Sequence, residues 1–166
     1  LPADIKAAGQ GGLLDVAVSP TYKKDRLLYF TYVRQTPEGG ATTLAKAKLQ
    51  GSSLQEWQIL LQTDSATDTT RHYGSRIAFD GQGHLFFGVG DRGVRKSAQQ
   101  LHNHNGTIMR LHLDGSIPKD NPFINKPHAK AAIYSYGHRN PQGLFFDPKT
   151  GILWENEHGP RGGDEI

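Results

Sequence analysis

Cysteine is absent from this 166-residue chain. That excludes disulfides, thiolate metal ligands and thiol nucleophiles together, and it leaves the redox compartment open, because a cysteine-free chain suits reducing and oxidising surroundings alike. No apolar run approaches the roughly 18 residues of a membrane-spanning helix, and the opening Leu1-Pro2-Ala3-Asp4-Ile5-Lys6 lacks the apolar stretch of a secretory signal. Runs of five or more like charges are also missing. Nineteen basic residues against sixteen acidic ones leave a formal net charge of +3, too scattered for a nucleic-acid arm, so no nucleic-acid partner is expected. The mild basic balance fits a small anionic ligand equally well. Windows longer than ten residues with a 3.6-residue apolar period are scarce, which counts against a few long helices.

What the chain does contain is 36% hydrophobic and 21% charged residues, enough apolar material for a buried core, together with 20 glycines and 9 prolines. Turn formers at that density favour many short elements. Short β-type runs bounded by Gly, Pro, Asn and Asp predict strands at Leu13 to Val18, Leu27 to Val33, Thr42 to Leu49, Trp57 to Leu61, Arg76 to Phe79, His84 to Gly88, Gly106 to Leu113, Ala132 to Tyr136, Gly143 to Phe146 and Ile152 to Asn156. One short helix, over Val94 to Leu101, is the most the residues allow. The expectation is an all-β sandwich, barrel or propeller.

A strand, a turn and a second strand recur three times. Gly12-Leu13-Leu14-Asp15-Val16-Ala17-Val18-Ser19-Pro20 leads to Leu27-Leu28-Tyr29-Phe30; Ser75-Arg76-Ile77-Ala78-Phe79-Asp80-Gly81 leads to His84-Leu85-Phe86-Phe87; and Gln142-Gly143-Leu144-Phe145-Phe146-Asp147-Pro148 leads to Gly151-Ile152-Leu153-Trp154. The aromatics Tyr29, Phe86 and Trp154 fall 57 and 68 residues apart, as in propeller blades carrying large inserted loops. Propellers close with about four to eight blades. The expectation is therefore that residues 1–166 supply roughly two and a half to three blades of a larger propeller domain that continues beyond the chain as given, since an unclosed fan exposes strand edges.

Four clusters are candidates for chemistry. Gly88-Val89-Gly90-Asp91-Arg92-Gly93 has the spacing of a dinucleotide-binding turn, with Asp114 some twenty residues on. However, no further helices alternate with strands, and Arg110 and His112 alternate with Met109, Leu111 and Leu113 as in a half-exposed antiparallel strand, so nucleotide binding is not expected. Tyr136-Gly137-His138-Arg139-Asn140-Pro141-Gln142-Gly143 sets a rigid guanidinium fork in a proline-stiffened turn, suited to a carboxylate or carbonyl oxygen, or reads simply as a polar loop. In Glu157-His158-Gly159-Pro160-Arg161-Gly162-Gly163-Asp164-Glu165, the Gly159 and Pro160 carbonyls suit a hard cation, although a solvated acidic turn explains the same residues. Arg71-His72-Tyr73-Gly74-Ser75-Arg76 carries a histidine, with Asp91 following in the chain; its ordinary pKa of about 6.5 suits proton transfer near neutrality. His102 and His104 lack a third ligand nearby in sequence and are discounted as a metal pair.

Taken in order, Gly9-Gln10-Gly11-Gly12-Leu13-Leu14, His72-Tyr73-Gly74-Ser75-Arg76, Gly88-Val89-Gly90-Asp91, Leu113-Asp114-Gly115-Ser116-Ile117-Pro118-Lys119-Asp120-Asn121-Pro122, Gly137-His138-Arg139-Asn140-Pro141-Gln142-Gly143 and Glu157-His158-Gly159-Pro160-Arg161-Gly162-Gly163-Asp164-Glu165 resemble the soluble quinoprotein glucose dehydrogenases, in particular their bacterial aldose sugar dehydrogenase branch. The resemblance runs from about Gln10 to the last residue. It implies a six-bladed β-propeller that holds pyrroloquinoline quinone (PQQ) and Ca²⁺ at the mouth of its channel, usually in the periplasm or outside the cell.

The implied reaction is oxidation of an aldose at C1 to the lactone, with hydride passing to the quinone and electrons leaving to a separate acceptor. His72 matches the family's general base and Asp91 the acid that orients it. Gln10 matches a residue beside cofactor and sugar. Arg139, Asn140 and Gln142 match the cofactor-contacting loop, with Arg139 also implied as a catalytic residue that stabilises negative charge growing on the quinone oxygen, and Gly159 and Pro160 match the pair whose carbonyls hold Ca²⁺. Tyr73-Gly74 departs from the pair found in the glucose-specific enzymes, so no particular sugar is implied. The competing expectation is a catalytically silent propeller of the same descent, binding sugar or a protein partner at its channel mouth.

Overall fold

Alternating apolar and polar residues, cut every few positions by turn formers, build an antiparallel protein. The computed structural model describes residues Leu1–Ile166. Its strands are β1 (Leu13–Val18), β2 (Leu27–Thr36), β3 (Gly39–Gln50), β4 (Ser53–Gln62), β5 (Ile77–Phe79), β6 (His84–Val89), β7 (Thr107–His112), β8 (Ile133–Tyr136), β9 (Pro141–Asp147) and β10 (Ile152–Glu157). They form two four-stranded sheets, β1-β2-β3-β4 and β5-β6-β7-β8, and a two-stranded sheet, β9-β10. Every paired strand runs antiparallel to its sequence neighbour.

All ten expected strands are present, and the all-β expectation holds. The long hairpin strands reach further than the residues suggested: β2 and β3 pair from Leu27↔Lys48 to Thr36↔Gly39, so only Pro37 and Glu38 lie outside the ladder. Glycine and polar residues are carried into strand by that tight closure. The expectation of at most one helix needs correction. The Val94 to Leu101 segment is a 3₁₀ turn over Arg95–Gln99, and a separate single turn of α-helix, α1, forms at Tyr22–Asp25. In α1, the Asp25 carboxylate accepts the Ser19 and Thr21 hydroxyls at 2.6 and 2.7 Å and the Leu27 N–H at 2.9 Å. A turn closed by side-chain oxygens has no apolar period to reveal it. No helix is long and apolar enough to cross a membrane.

The three repeated units are the first two strands of the three sheets, and their aromatics do equivalent work. Tyr29 points from the first sheet into the second, where it meets Phe79 edge-on at 5.4 Å and donates its hydroxyl to Leu113 O at 2.9 Å. Around it, Leu44, Ile77, Leu85, Phe87, Val89, Met109, Leu111 and Ala132 close a buried core between those sheets. Phe86 points the other way, onto Tyr134 and the stacked ring of Phe146 in the third sheet. Trp154, at the corresponding position of the third sheet, is 50% exposed beside Phe145 at 62%. The first two sheets therefore each bury a face against the following one, and the site residues fall in loops at strand ends: His72 between β4 and β5, Asp91 between β6 and β7, Arg139 between β8 and β9, and Gly159 and Pro160 after β10.

Candidate functional site

His72 stands in the loop before β5, in the left-handed region at φ +55°. A non-glycine residue in that region costs energy and has to be held there by its surroundings. The Gln10 side-chain oxygen accepts the His72 N–H at 2.7 Å, while Gln10 N donates to Thr70 O at 2.8 Å. The flanking residues are gripped by Arg92, a wholly buried cation. Its Nη1 donates to Arg71 O at 2.8 Å and its Nη2 to Thr69 O at 2.8 Å, and its guanidinium lies 3.4 Å from the centre of the Tyr73 ring. Burial pushes the Arg92 pKa down, with Tyr73 and Asp91 opposing that shift. Peptide carbonyls, rather than a paired carboxylate, satisfy this charge.

The His72 ring meets Asp91, whose Oδ1 lies 2.6 Å from Nδ1. A carboxylate only accepts hydrogen bonds, so Nδ1 carries the proton in this contact, and in the neutral form of the ring Nε2 then has the lone pair. Asp91 is fixed in turn: Oδ1 also accepts the Gly93 N–H at 2.7 Å, and its own N–H donates to Arg139 O at 2.8 Å. Between them, Gly90 brings the chain so close that a Cβ there would overlap the His72 carbonyl oxygen and lie 2.9 Å from Arg139 O. The glycines of Gly88-Val89-Gly90-Asp91-Arg92-Gly93 thus serve close backbone approach and the φ of +77° at Gly93. Since β6 runs antiparallel to β7, no parallel crossover accompanies them and no dinucleotide-binding unit forms.

The Arg139 loop is braced from β10. Glu157 Oε2 accepts the backbone N–H groups of Arg139 and Asn140, the second at 2.9 Å. Arg139 Nη1 donates to His158 O at 2.6 Å. Asn140 is buried, with its Oδ1 3.4 Å from the Gly74 N–H. Gln142 is exposed, and its amide turns back toward its own loop, 3.4 Å from Asn140 O and 3.3 Å from Pro141 O. Just after β10, Gly159 N donates to Asp164 Oδ1 at 2.9 Å and Gly163 N to Pro160 O at 3.2 Å, folding the glycine-rich turn over.

Asp91, Arg139, Gly159 and Pro160 line one hollow of about 210 Å³, shared with Arg95, Ala98, Gly137, His138, Glu157 and Glu165. His72 and Gln10 are not in its lining: the His72 ring touches it only through Asp91, and Gln10 holds the His72 backbone N–H behind it. Asn140 is the buried hinge of the same loop, and Gln142 is the one expected residue whose side chain is spent on neighbouring carbonyls. The donor set fits Ca²⁺ in kind: the Gly159 carbonyl accepts no hydrogen bond and the Pro160 carbonyl only one. Two peptide oxygens are too few for the six to eight ligands that Ca²⁺ takes, so the others must come from a bound ligand and water. The half-buried Arg139 guanidinium, with Nη1 on His158 O and its other donors left over, suits an anionic, oxygen-rich cofactor. Arg92 and Glu157 were not singled out from sequence, since both act on backbone groups that no residue pattern displays.

Comparison with known proteins bears on this arrangement. A family model described as Glucose / Sorbosone dehydrogenase matches residues 1–166. Aldose sugar dehydrogenase YliI of Escherichia coli is 42% identical over 166 residues, which are 98% of this chain and 45% of that protein. The crystal structure of the soluble aldose sugar dehydrogenase from Escherichia coli in the apo-form superposes with a TM-score of 0.93 at 39% identity, over 98% of this chain and 48% of that one. The PQQ-bound form of aldose sugar dehydrogenase from Streptomyces coelicolor superposes with a TM-score of 0.80 at 31% identity, over 98% and 47%. This chain thus spans about half the length of the proteins it matches. On the match along its whole length, the chain belongs to the glucose/sorbosone dehydrogenase family.

Proposed function

We propose that this chain is part of a six-bladed β-propeller that oxidises aldose sugars at C1 to the lactone, using PQQ and Ca²⁺, with electrons passed on to a separate acceptor outside the cytoplasm. Its two four-stranded sheets read as blades, and the β9-β10 pair as the start of a third. The apolar faces of Phe145 and Trp154 are then covered by the next blade.

The observation that carries the reading is that Asp91, Arg139, Gly159 and Pro160, spread over residues 91–160, line one hollow, with the His72 ring hydrogen-bonded to Asp91 at its edge. In this reading, His72 Nε2 takes the proton of the sugar's anomeric hydroxyl as the C1–H bond gives up its hydride. The carbonyl double bond of the lactone forms from those two losses. Asp91, buried and fixed by the Gly93 N–H, stabilises the imidazolium that results and holds the ring in the reactive tautomer. Gly159 and Pro160 supply carbonyl oxygens to Ca²⁺, while Arg139, Asn140 and Gln142 form the loop that holds the cofactor, with Gln10 beside it. Bound PQQ, polarised by Ca²⁺ and a nearby cation, supplies a two-electron acceptor for the hydride.

Reconstituting the full-length protein with PQQ and Ca²⁺ and following dye reduction with a panel of aldoses tests this. Reduction that needs both additions is the expected result. Absence of reduction with every aldose, or a nicotinamide response indifferent to Ca²⁺ chelation, would overturn it.

A further inference from the structure

Three groups meet where the second and third sheets face each other, and the roles above leave them partly unused. His138, in the turn after β8, and Glu155 and Glu157, on β10, each bring one ligand-type atom to within 4.8 Å of the others. His138 Nδ1 is 3.7 Å from Glu155 Oε2 and 3.9 Å from Glu157 Oε1. These separations are too long for hydrogen bonds and short enough to share an ion. The side chains are mostly buried, at 18%, 15% and 9% exposure.

For His138 and Glu157, the remaining atoms explain why these face inward. His138 Nε2 lies 2.9 Å from Ser135 Oγ, and with Nε2–H donating there, Nδ1 presents a lone pair. Glu157 Oε2 is occupied by the Arg139 and Asn140 N–H groups, which leaves Oε1 toward the imidazole. Glu155 Oε1 is buried without any hydrogen-bond partner. One nitrogen and two oxygen lone pairs therefore converge with no protein donor between them. Such an arrangement repels itself unless a positive charge sits inside.

We infer that His138, Glu155 and Glu157 form a binding site for a divalent transition-metal ion of the Zn²⁺ type, separate from the Gly159 and Pro160 carbonyls. The imidazole sets the class, since Ca²⁺ and Mg²⁺ take oxygen ligands whereas Zn²⁺ readily takes one nitrogen with carboxylates. Zn²⁺ bonds of about 2.0–2.2 Å in tetrahedral geometry put neighbouring ligand atoms about 3.4 Å apart, so the two histidine edges of 3.7 and 3.9 Å need to close by a few tenths, and the carboxylate–carboxylate edge, within 4.8 Å, closes by a rotation of the Glu155 side chain. Ser135 holds the outer nitrogen, as partners of metal-bound histidines commonly do. The ion ties β10 to the turn after β8 and stiffens Glu157, whose other oxygen carries the Arg139 loop. None of this depends on the sugar-oxidation reading.

The test uses the full chain stripped with a chelator, held in excess Ca²⁺ and titrated with Co²⁺ as a spectroscopic stand-in for Zn²⁺. A visible Co²⁺ absorption band saturating at one equivalent, displaced by Zn²⁺ and weakened at least about tenfold in affinity by Glu155→Gln and by His138→Gln, is the expected result. Circular dichroism checks that each variant is folded; if His138→Gln does not fold, Glu155→Gln alone decides. No stoichiometric band, or an equal band in folded Glu155→Gln, would overturn the site.

Discussion

His72 Nδ1 and Asp91 Oδ1 lie 2.6 Å apart although nineteen residues separate them in the chain. The same carboxylate oxygen accepts the Gly93 N–H. The aspartate is therefore immobilised before it orients the imidazole, and the two residues behave as one unit. In the reconstituted protein, His72→Gln is expected to slow the chemical step by about 10²–10⁴, the usual range for a lost general base. Asp91→Asn should cost a comparable factor by favouring the wrong tautomer. Single-turnover kinetics with bound cofactor read the step directly, and an unchanged rate in His72→Gln removes the residue from the reaction.

Gly90→Ala isolates the role of backbone approach. Gly90 is outside the positive-φ region, so alanine meets no conformational barrier there, and its methyl group runs into the His72 and Arg139 carbonyls. Overpacking of this kind costs about 1–3 kcal/mol. Urea denaturation should show that loss, together with falling activity as the His72 and Arg139 loops are forced apart. A variant as stable and active as the parent would show the approach to be looser than it stands.

Arg92→Met keeps length and apolar contact with Tyr73 while removing the donors to Arg71 O, Thr69 O and the Thr67 hydroxyl. Leaving buried carbonyls unpaired costs about 1–3 kcal/mol each, so an overall loss of roughly 2–4 kcal/mol is expected from urea midpoints. A loss below about 0.5 kcal/mol, the usual size for surface changes, would contradict the clamp.

His104 gives a pH signature. It is 5% exposed, its Nδ1 accepts the Asp64 N–H at 2.8 Å, and the Asp64–Lys130 ion pair closes at 2.9 Å. Burial first, then Lys130, push its pKa down to about 4, with Asp64 opposing. Between about 4 and the ordinary 6.5 the unfolded chain binds more protons, so His104 makes stability fall as pH drops through that window, by at most roughly 3 kcal/mol. His104→Asn keeps an acceptor for Asp64 N–H without the titration. Its stability should vary less with pH than the parent's over pH 4–6.5, and parallel curves would reject the assignment.

Much of this was legible in the residues. The ten strands were, because β-branched and aromatic runs cut by Gly, Pro and Asn mark them, and so was the threefold hairpin repeat that became the first two strands of each of the three sheets. The turn at Tyr22–Asp25 was not, being held by hydroxyl-to-carboxylate bonds rather than by apolar periodicity. His72, Asp91 and Arg139 carried recognisable motifs. Arg92 and Glu157 lay inside quoted motifs but their roles were not legible, since each binds backbone groups of a loop distant in sequence, and their use exists only once the chain has folded.

The tight crossing at Gly90 has an evolutionary consequence. Because main-chain atoms, rather than exchangeable side chains, set the spacing between the imidazole and the guanidinium, the outward residues of those loops are free to drift. The surface of the two loops can change while their main chains stay locked together at Gly90.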